Sequence, residues 1–149
     1  MAALIRRMRC ESGQALVEFA MVTPLFLLIF AGMTDFALLF KSYQTSLNAA
    51  REGARMAVLP GYESGAYAVP KQRAADYMTA AGLACTDCVD VDAVDVPLSG
   101  GGTANGVQVT VTYTYEFLFI GRVVGLINGT FRPDLEYGVS SIMRAEVQS

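Results

Sequence analysis

The hydrophobic pattern changes character along the chain. Between Glu18 and Lys41 run 22 residues, FAMVTPLFLLIFAGMTDFALLF, with Asp35 as the one formal charge. Apolar side chains occur on every helical face there, as in a helix that meets lipid or other apolar helices all round. At ~1.5 Å per helical residue the run is about 33 Å long, enough to cross a hydrocarbon core of ~30 Å. After Lys41 polar residues return. The segment SLNAAREGARMAV places Ala50, Gly53, Ala54 and Ala57 in a stripe of small residues at helical spacing, with Arg51, Glu52 and Arg55 on the remainder. Such a stripe lets another backbone approach closely, either this chain's own sheet or a neighbouring subunit's helix. Residues 14–58 are therefore expected as one long helix that ends at Pro60-Gly61. Pro24 predicts a kink or a melted turn inside it, because proline lacks the N–H of one helical rung.

Past residue 60 the periodicity shortens. A loop leads to Pro70 as the first residue of a short helix reaching about Gly82. Val89-Asp90-Val91-Asp92 alternates and then slips phase at Ala93-Val94, which predicts a bulge. Val107, Val109, Val111, Tyr113 and Tyr115 share one strand face, with Gln108, Thr110, Thr112, Thr114 and Glu116 opposite. Leu135, Tyr137, Val139, Ser141, Met143, Ala145 and Val147 repeat the alternation. Residues 99–102 (Ser-Gly-Gly-Gly), together with Asn105-Gly106, predict a flexible turn between strands. Residues 117–131 are apolar, glycine-interrupted and too short for a second span, and the pattern assigns them no element. The expected fold is α+β. A long N-terminal transmembrane α-helix, kinked near Pro24, packs at its outer half on a small antiparallel β-sheet head with one short helix. The expected division is a basic leader at 1–13, the helix at 14–58 with a span of about 19–40, and an extracytoplasmic head at 59–149.

Composition narrows the function. The 149 residues are 53% apolar and 17% charged, carry a net charge of −3 and contain no histidine. Lacking histidine, the chain has neither the commonest general base nor the commonest zinc ligand, and no metal or cofactor site is expected. The acidic balance argues against nucleic acid. Arg6, Arg7 and Arg9, opposed by Glu11 alone, precede the apolar run. The positive-inside bias then puts the N-terminus in the cytoplasm and the head outside. A cleaved secretory signal would have a shorter apolar core and a small-x-small site, and residues 30–34 (Phe-Ala-Gly-Met-Thr) make a poor one.

Glu18 is the most informative side chain, since a carboxylate at the edge of such a helix is costly if it lies deep. Gly13 stands five residues earlier, and Phe19 opens the apolar run. An Arg-rich leader, Gly13, four residues, Glu18 and an aromatic resemble the processing site of type IV prepilins, which a membrane aspartyl peptidase cuts after the glycine. The resemblance implies a mature chain starting at Gln14. Its new α-amine would lie one helical turn from Glu18, and in a parallel bundle the Glu18 of one subunit neutralises the amine of the next and fixes their register. Residues 13–20 (GQALVEFA), then Thr23-Pro24-Leu25-Phe26-Leu27-Leu28, Gly32, Asp35-Phe36 and residues 48–55 (NAAREGAR) are similar to the TadE-like family, as, more loosely, are residues 143–146 (MRAE). That family comprises pilin-like minor subunits and assembly proteins of tight-adherence (Tad, type IVc) pili. The resemblance implies a non-enzymatic subunit of the cytoplasmic (inner) membrane, single-pass, with its head periplasmic or extracellular and a place in the pilus. The implied partners are other Tad pilins and pseudopilins, the inner-membrane assembly platform, the prepilin peptidase acting on this chain as substrate, and the lipid bilayer.

Further residues invite chemistry. Asp35 lies about 25 Å along the helix from Glu18, where solvation near the outer interface and a bond to a neighbour's Lys41 are both open. Cys85 and Cys88 fall in an oxidising compartment by this topology and are expected to form a small structural disulfide. Cys10 would leave with the leader. Asp90, Asp92 and Asp95 read as polar residues on a wet strand face, since a calcium loop's glycine and distal glutamate are missing. Asn128-Gly129-Thr130 reads as a turn rather than a glycosylation site. Two other functional classes compete: a membrane-tethered binding module with a passive helix, and a tethered thiol-disulfide enzyme using Cys85 and Cys88.

Overall fold

The computed structural model describes residues 2–62, 67–127, 129 and 133–145, with the backbone alone at 2–12, 126 and 127. In order along the chain come α1 (Ala2–Ala57), α2 (Ala68–Ala80), β1 (Val89–Pro97), β2 (Thr103–Glu116), α3 (Ile120–Ile127) and β3 (Asp134–Arg144). The fold is α+β: a long apolar N-terminal helix packs on a small three-stranded antiparallel sheet accompanied by two short helices, where one was expected. Residues Val147 and Glu146 of the anticipated last strand, and Asn128 and Thr130 of the anticipated turn, lie outside the described residues.

Helix α1 starts at Ala2 rather than near residue 14, its backbone running helical through the basic leader and Gly13. It also continues through Pro24 without the expected melted turn. Proline there removes one rung, to the Ala20 carbonyl, and the neighbouring rungs hold the helix. The preceding Thr23 hydroxyl donates to the Phe19 carbonyl at 2.7 Å, a local bond of the kind that lets proline persist in apolar helices.

The chain divides into two compact units, Met1–Ala37 with Phe117–Pro133, and Leu38–Glu116 with Asp134–Ser149. In the second unit the sheet order is β1-β2-β3, antiparallel throughout. The alternation in β2 turns Val107, Val109 and Val111 inward to meet Val89 of β1 and Val139 of β3. Over them lie Ala49, Ala50, Ala54 and Ala57 of α1, with Ala74 and Met78 of α2, all buried. The small residues are what allow the approach. A Cβ built on Gly53 would sit 3.1 Å from the Ala74 Cβ and 3.3 Å from Val109 Cγ1. The stripe at Ala50, Gly53, Ala54 and Ala57 thus packs within its own unit. Beside it a hydroxyl cluster closes one end of the core. The Tyr137 hydroxyl donates to Ser42 Oγ at 3.0 Å and lies 3.3 Å from Ser46 Oγ, and its ring stands against Tyr43 and Tyr113.

Two turn signals resolve differently from expectation. There is no bulge in β1: Val89 to Pro97 pair without a break with Val111 to Thr103. The phase slip instead marks a change of face. Val89 and Val91 look to the core, whereas Val94 and Val96 turn to the opposite face over Gly106, where a Cβ would meet Val96 Cγ2 at 2.5 Å. Asn105 and Gly106 accordingly belong to β2, opposite Asp95 and Val94. The turn is made by residues 98–102, closed by Leu98 N–H to Gly102 O at 3.0 Å, with Gly101 and Gly102 at φ +86° and +93°. Those two glycines take the left-handed geometry that side chains resist. Pro70 occupies the third position of α2 rather than the first, since none of the first-turn N–H groups has an intrahelical acceptor to lose.

Because Gly53 sits at the closest approach of α1 to α2 and the sheet, Gly53→Leu is expected to destabilise the protein by about 1–3 kcal/mol through overpacking. Gly53→Ala, which gains helix propensity as it crowds Ala74, should change stability far less; chemical denaturation of both variants in detergent checks this.

Candidate functional site

The apolar half of α1 presents its side chains outward. The candidate spanning helix covers Gly13–Ala57, and none of its most apolar stretch is buried within the chain. Phe19 is 71% exposed and Met33 67% exposed, with Leu25, Phe26, Ile29 and Phe36 also open. Hydroxyls in this stretch are satisfied locally: Thr23 donates to Phe19 O and Thr34 to Phe30 O, at 2.7 and 2.9 Å. Such back-bonding leaves a helix surface with little for water to solvate. A core helix of a water-soluble domain would instead bury one stripe. Among the described residues α1 is the one helix long and apolar enough to cross a membrane, the property of a single-pass membrane anchor.

Gly13, Gln14, Glu18 and Phe19 all lie on α1 and are exposed. A Cβ added at Gly13 would touch nothing within 4 Å, so the backbone between Gly13 and Gln14 is open on its glycine side. Among the described residues no basic side chain pairs with Glu18. The helix-packing residues Ala50, Gly53, Ala54 and Ala57 are not brought to these four; they are in the core of the other unit.

Cys85 and Cys88 are joined by a disulfide, Cα to Cα 5.2 Å, in the loop between α2 and β1. Asp87 inside that loop is left-handed at φ 55° and accepts from Lys71 Nζ at 2.7 Å, with Asp90 Oδ1 4.0 Å from the same ammonium. The pairing holds the Asp87 carboxyl below and the Lys71 ammonium above their ordinary values. The cysteines lead into a strand rather than a helix, so no helix N-terminus stabilises a thiolate there. Asp90, Asp92 and Asp95 are exposed, and among the described residues no cluster of cysteine or acidic side chains is arranged to hold a metal ion.

Asp35 departs most from expectation. It is fully buried rather than solvated, and its partners are in its own chain rather than on a neighbour's Lys41. Its carboxylate accepts from Leu118 N–H at 3.1 Å, from Phe119 N–H at 3.2 and 3.0 Å on its two oxygens, and from Ile120 N–H at 2.8 Å. These are amides at the start of α3, which have no intrahelical acceptor and sit at the positive end of the helix dipole. The segment at 117–131, unassigned from pattern, is thus organised in part by a residue 83 positions earlier. The available signal was the anomaly of an acid inside an apolar run; its amide partners could not be read, because their contribution is backbone.

In the other unit, Glu52 accepts from Arg55 of α1 and Arg73 of α2, each at 3.3 Å. The Arg55 hydrogen bond, with further help from Arg73, lowers its carboxyl below the ordinary value.

With this geometry in view, residues 13–55 match the family model of TadE-like proteins. That segment takes in the exposed N-terminal residues, the whole apolar run and most of the small-residue stripe, and it is the part of the chain that is similar to TadE-like proteins. No curated protein and no solved structure matches the chain.

Asp35→Ala should cost roughly 2–3 kcal/mol, since it strands amides that lack another acceptor. Asp35→Asn, which keeps an acceptor oxygen, should cost less. Hydrogen exchange at Leu118, Phe119 and Ile120 in detergent reports both, with faster exchange in the alanine variant. Glu52 also makes a pH prediction. Its folded pKa is depressed, so its contribution is present above the ordinary carboxylate range and disappears as pH falls through the folded value. The melting-temperature difference between the protein and Glu52→Gln should be constant near neutrality and shrink below about pH 4.5.

Proposed function

We propose that this chain is a structural, non-enzymatic subunit of a Tad (type IVc) pilus system, a TadE-like minor pilin or pseudopilin of the inner membrane. The single observation that carries this reading is that the TadE-like match, residues 13–55, falls on a helix whose apolar half is exposed and starts with Glu18 and Phe19. A helix of this kind is soluble in lipid as a single copy and in a bundle of like helices, so a subunit can wait in the membrane and then join a filament. A heterologous helix-to-helix contact that does not close on itself generates such a filament.

In this reading the prepilin peptidase cuts between Gly13 and Gln14, and the head lies outside the cytoplasmic membrane. The released amine at Gln14 pairs with the Glu18 carboxylate of an adjoining pilin or pseudopilin. An ion pair between helices in an apolar setting is favourable when both charges are matched and costly when one is left alone. The pair therefore acts as a register check. The assembly platform and other Tad pilins are its protein partners, and the disulfide-closed head has a structural role.

N-terminal sequencing of the protein purified from a cell with an intact Tad system is expected to start at Gln14. Glu18→Val should keep the protein in the membrane but reduce its incorporation into sheared pili, whereas Glu18→Asp should retain part of it. A native chain that keeps residues 1–13, together with unchanged incorporation of Glu18→Val, overturns the reading.

A further inference from the structure

Within the unit formed by Met1–Ala37 and Phe117–Pro133, an open groove of about 700 Å³ lies between α1 and α3. Pro24, Leu27 and Ala31 are on its α1 side, and Phe119, Arg122 and Val123 on its α3 side. We propose that α3 is a second membrane-contacting element, set into the bilayer against α1, and that phospholipid acyl chains fill this groove. The proposal rests on α1 being the membrane span.

Three observations carry it. The first is depth. The α1 residues of the groove fall within positions 24–34, roughly 8 to 22 Å along the ~33 Å apolar run. A groove at that level opens onto hydrocarbon, and Leu25 and Met33, at the same level of α1, are exposed as well. The second is the way α3 begins. In water, the first amides of a helix can be left to solvent; in hydrocarbon they must be satisfied by protein. Here Leu118, Phe119 and Ile120 donate to a carboxylate that is fully buried. The third is composition. Leu118, Phe119 and Val123 remain exposed, an unfavourable arrangement in water and a favourable one against lipid. Arg122, also exposed, has a long side chain that can reach towards lipid phosphate while its methylenes stay in the apolar layer.

Fluorescence quenching in phosphatidylcholine–phosphatidylglycerol vesicles tests this on the full chain. In a Cys10→Ser background, with the Cys85–Cys88 disulfide left intact, Val123→Cys carries a thiol-linked fluorophore. Met33→Cys on α1 reports the anchor, and Leu98→Cys in the β1–β2 turn gives the aqueous reference. The expected result is quenching of the label at position 123 by nitroxide-bearing lipid, with loss of the iodide quenching seen at position 98. Iodide quenching at 123 equal to that at 98 overturns the proposal by placing α3 in water. Protection from both quenchers overturns it by placing protein in the groove. Either outcome with lipid quenching intact at position 33 leaves the anchor standing; absence of lipid quenching at 33 removes the anchor reading, and this inference with it.

Discussion

One helix has to be stable in two environments, and the rest of the chain is arranged around that requirement. The apolar run of α1 exposes phenylalanine, leucine and methionine and carries its hydroxyls folded back onto its own carbonyls. The second half buries a stripe of alanine, glycine and serine and keeps arginine and glutamate outside. In the first half backbone hydrogen bonding alone maintains the helix, as in any segment surrounded by hydrocarbon. In the second half, packing against the sheet does so, as for most helices of globular domains. The same 3.6-residue repeat serves both, with only side-chain size and polarity changing along it.

Asp35 shows what a charge needs in order to persist in such a place. An isolated carboxylate costs about 2.5–3.5 kcal/mol on insertion scales at the centre of a membrane helix, and less towards its end, where Asp35 lies. Hydrogen bonds to a charged group contribute roughly 1.5–3 kcal/mol each. The donors from Leu118, Phe119 and Ile120 are enough to offset that cost. The amides gain equally, since without an acceptor they would be unsatisfied at the start of α3. Each group supplies what the other lacks, across a sequence separation of 83 between Asp35 and Leu118. Glu18 contrasts with it: exposed near the start of the apolar run, it remains open to a partner from outside the chain.

The sheet-bearing unit achieves stability with few large side chains. Valines of β2 lie against alanines of α1, and the fit is close enough that even a Cβ at Gly53 would press on Ala74 and Val109. Close packing of small groups makes up in contact density what it lacks in volume. The Cys85–Cys88 link, the Lys71–Asp87 pair and the Tyr137 hydroxyl cluster secure its periphery. With the stripe at Ala50, Gly53, Ala54 and Ala57 occupied internally, the α1 surface open to other helices or lipid is its apolar half.

Periodicity along the chain was sufficient for the long apolar helix, the small-residue stripe and the alternating faces of β2 and β3. Each of these depends on the spacing of neighbouring side chains, which a one-dimensional pattern records. The likeness of residues 13–55 to TadE-like proteins was legible as a resemblance of sequence. What the pattern misread depends on partners distant in sequence. Val94 and Val96 change face because Gly106 offers room across the ladder, and Asn105-Gly106 enters a strand because Gly101 and Gly102 already make the turn. The helix at residues 120–127 starts where it does because Asp35 receives its first amides. Backbone donors are the same for every sequence, so only the tertiary fold could decide which of them a buried carboxylate would meet.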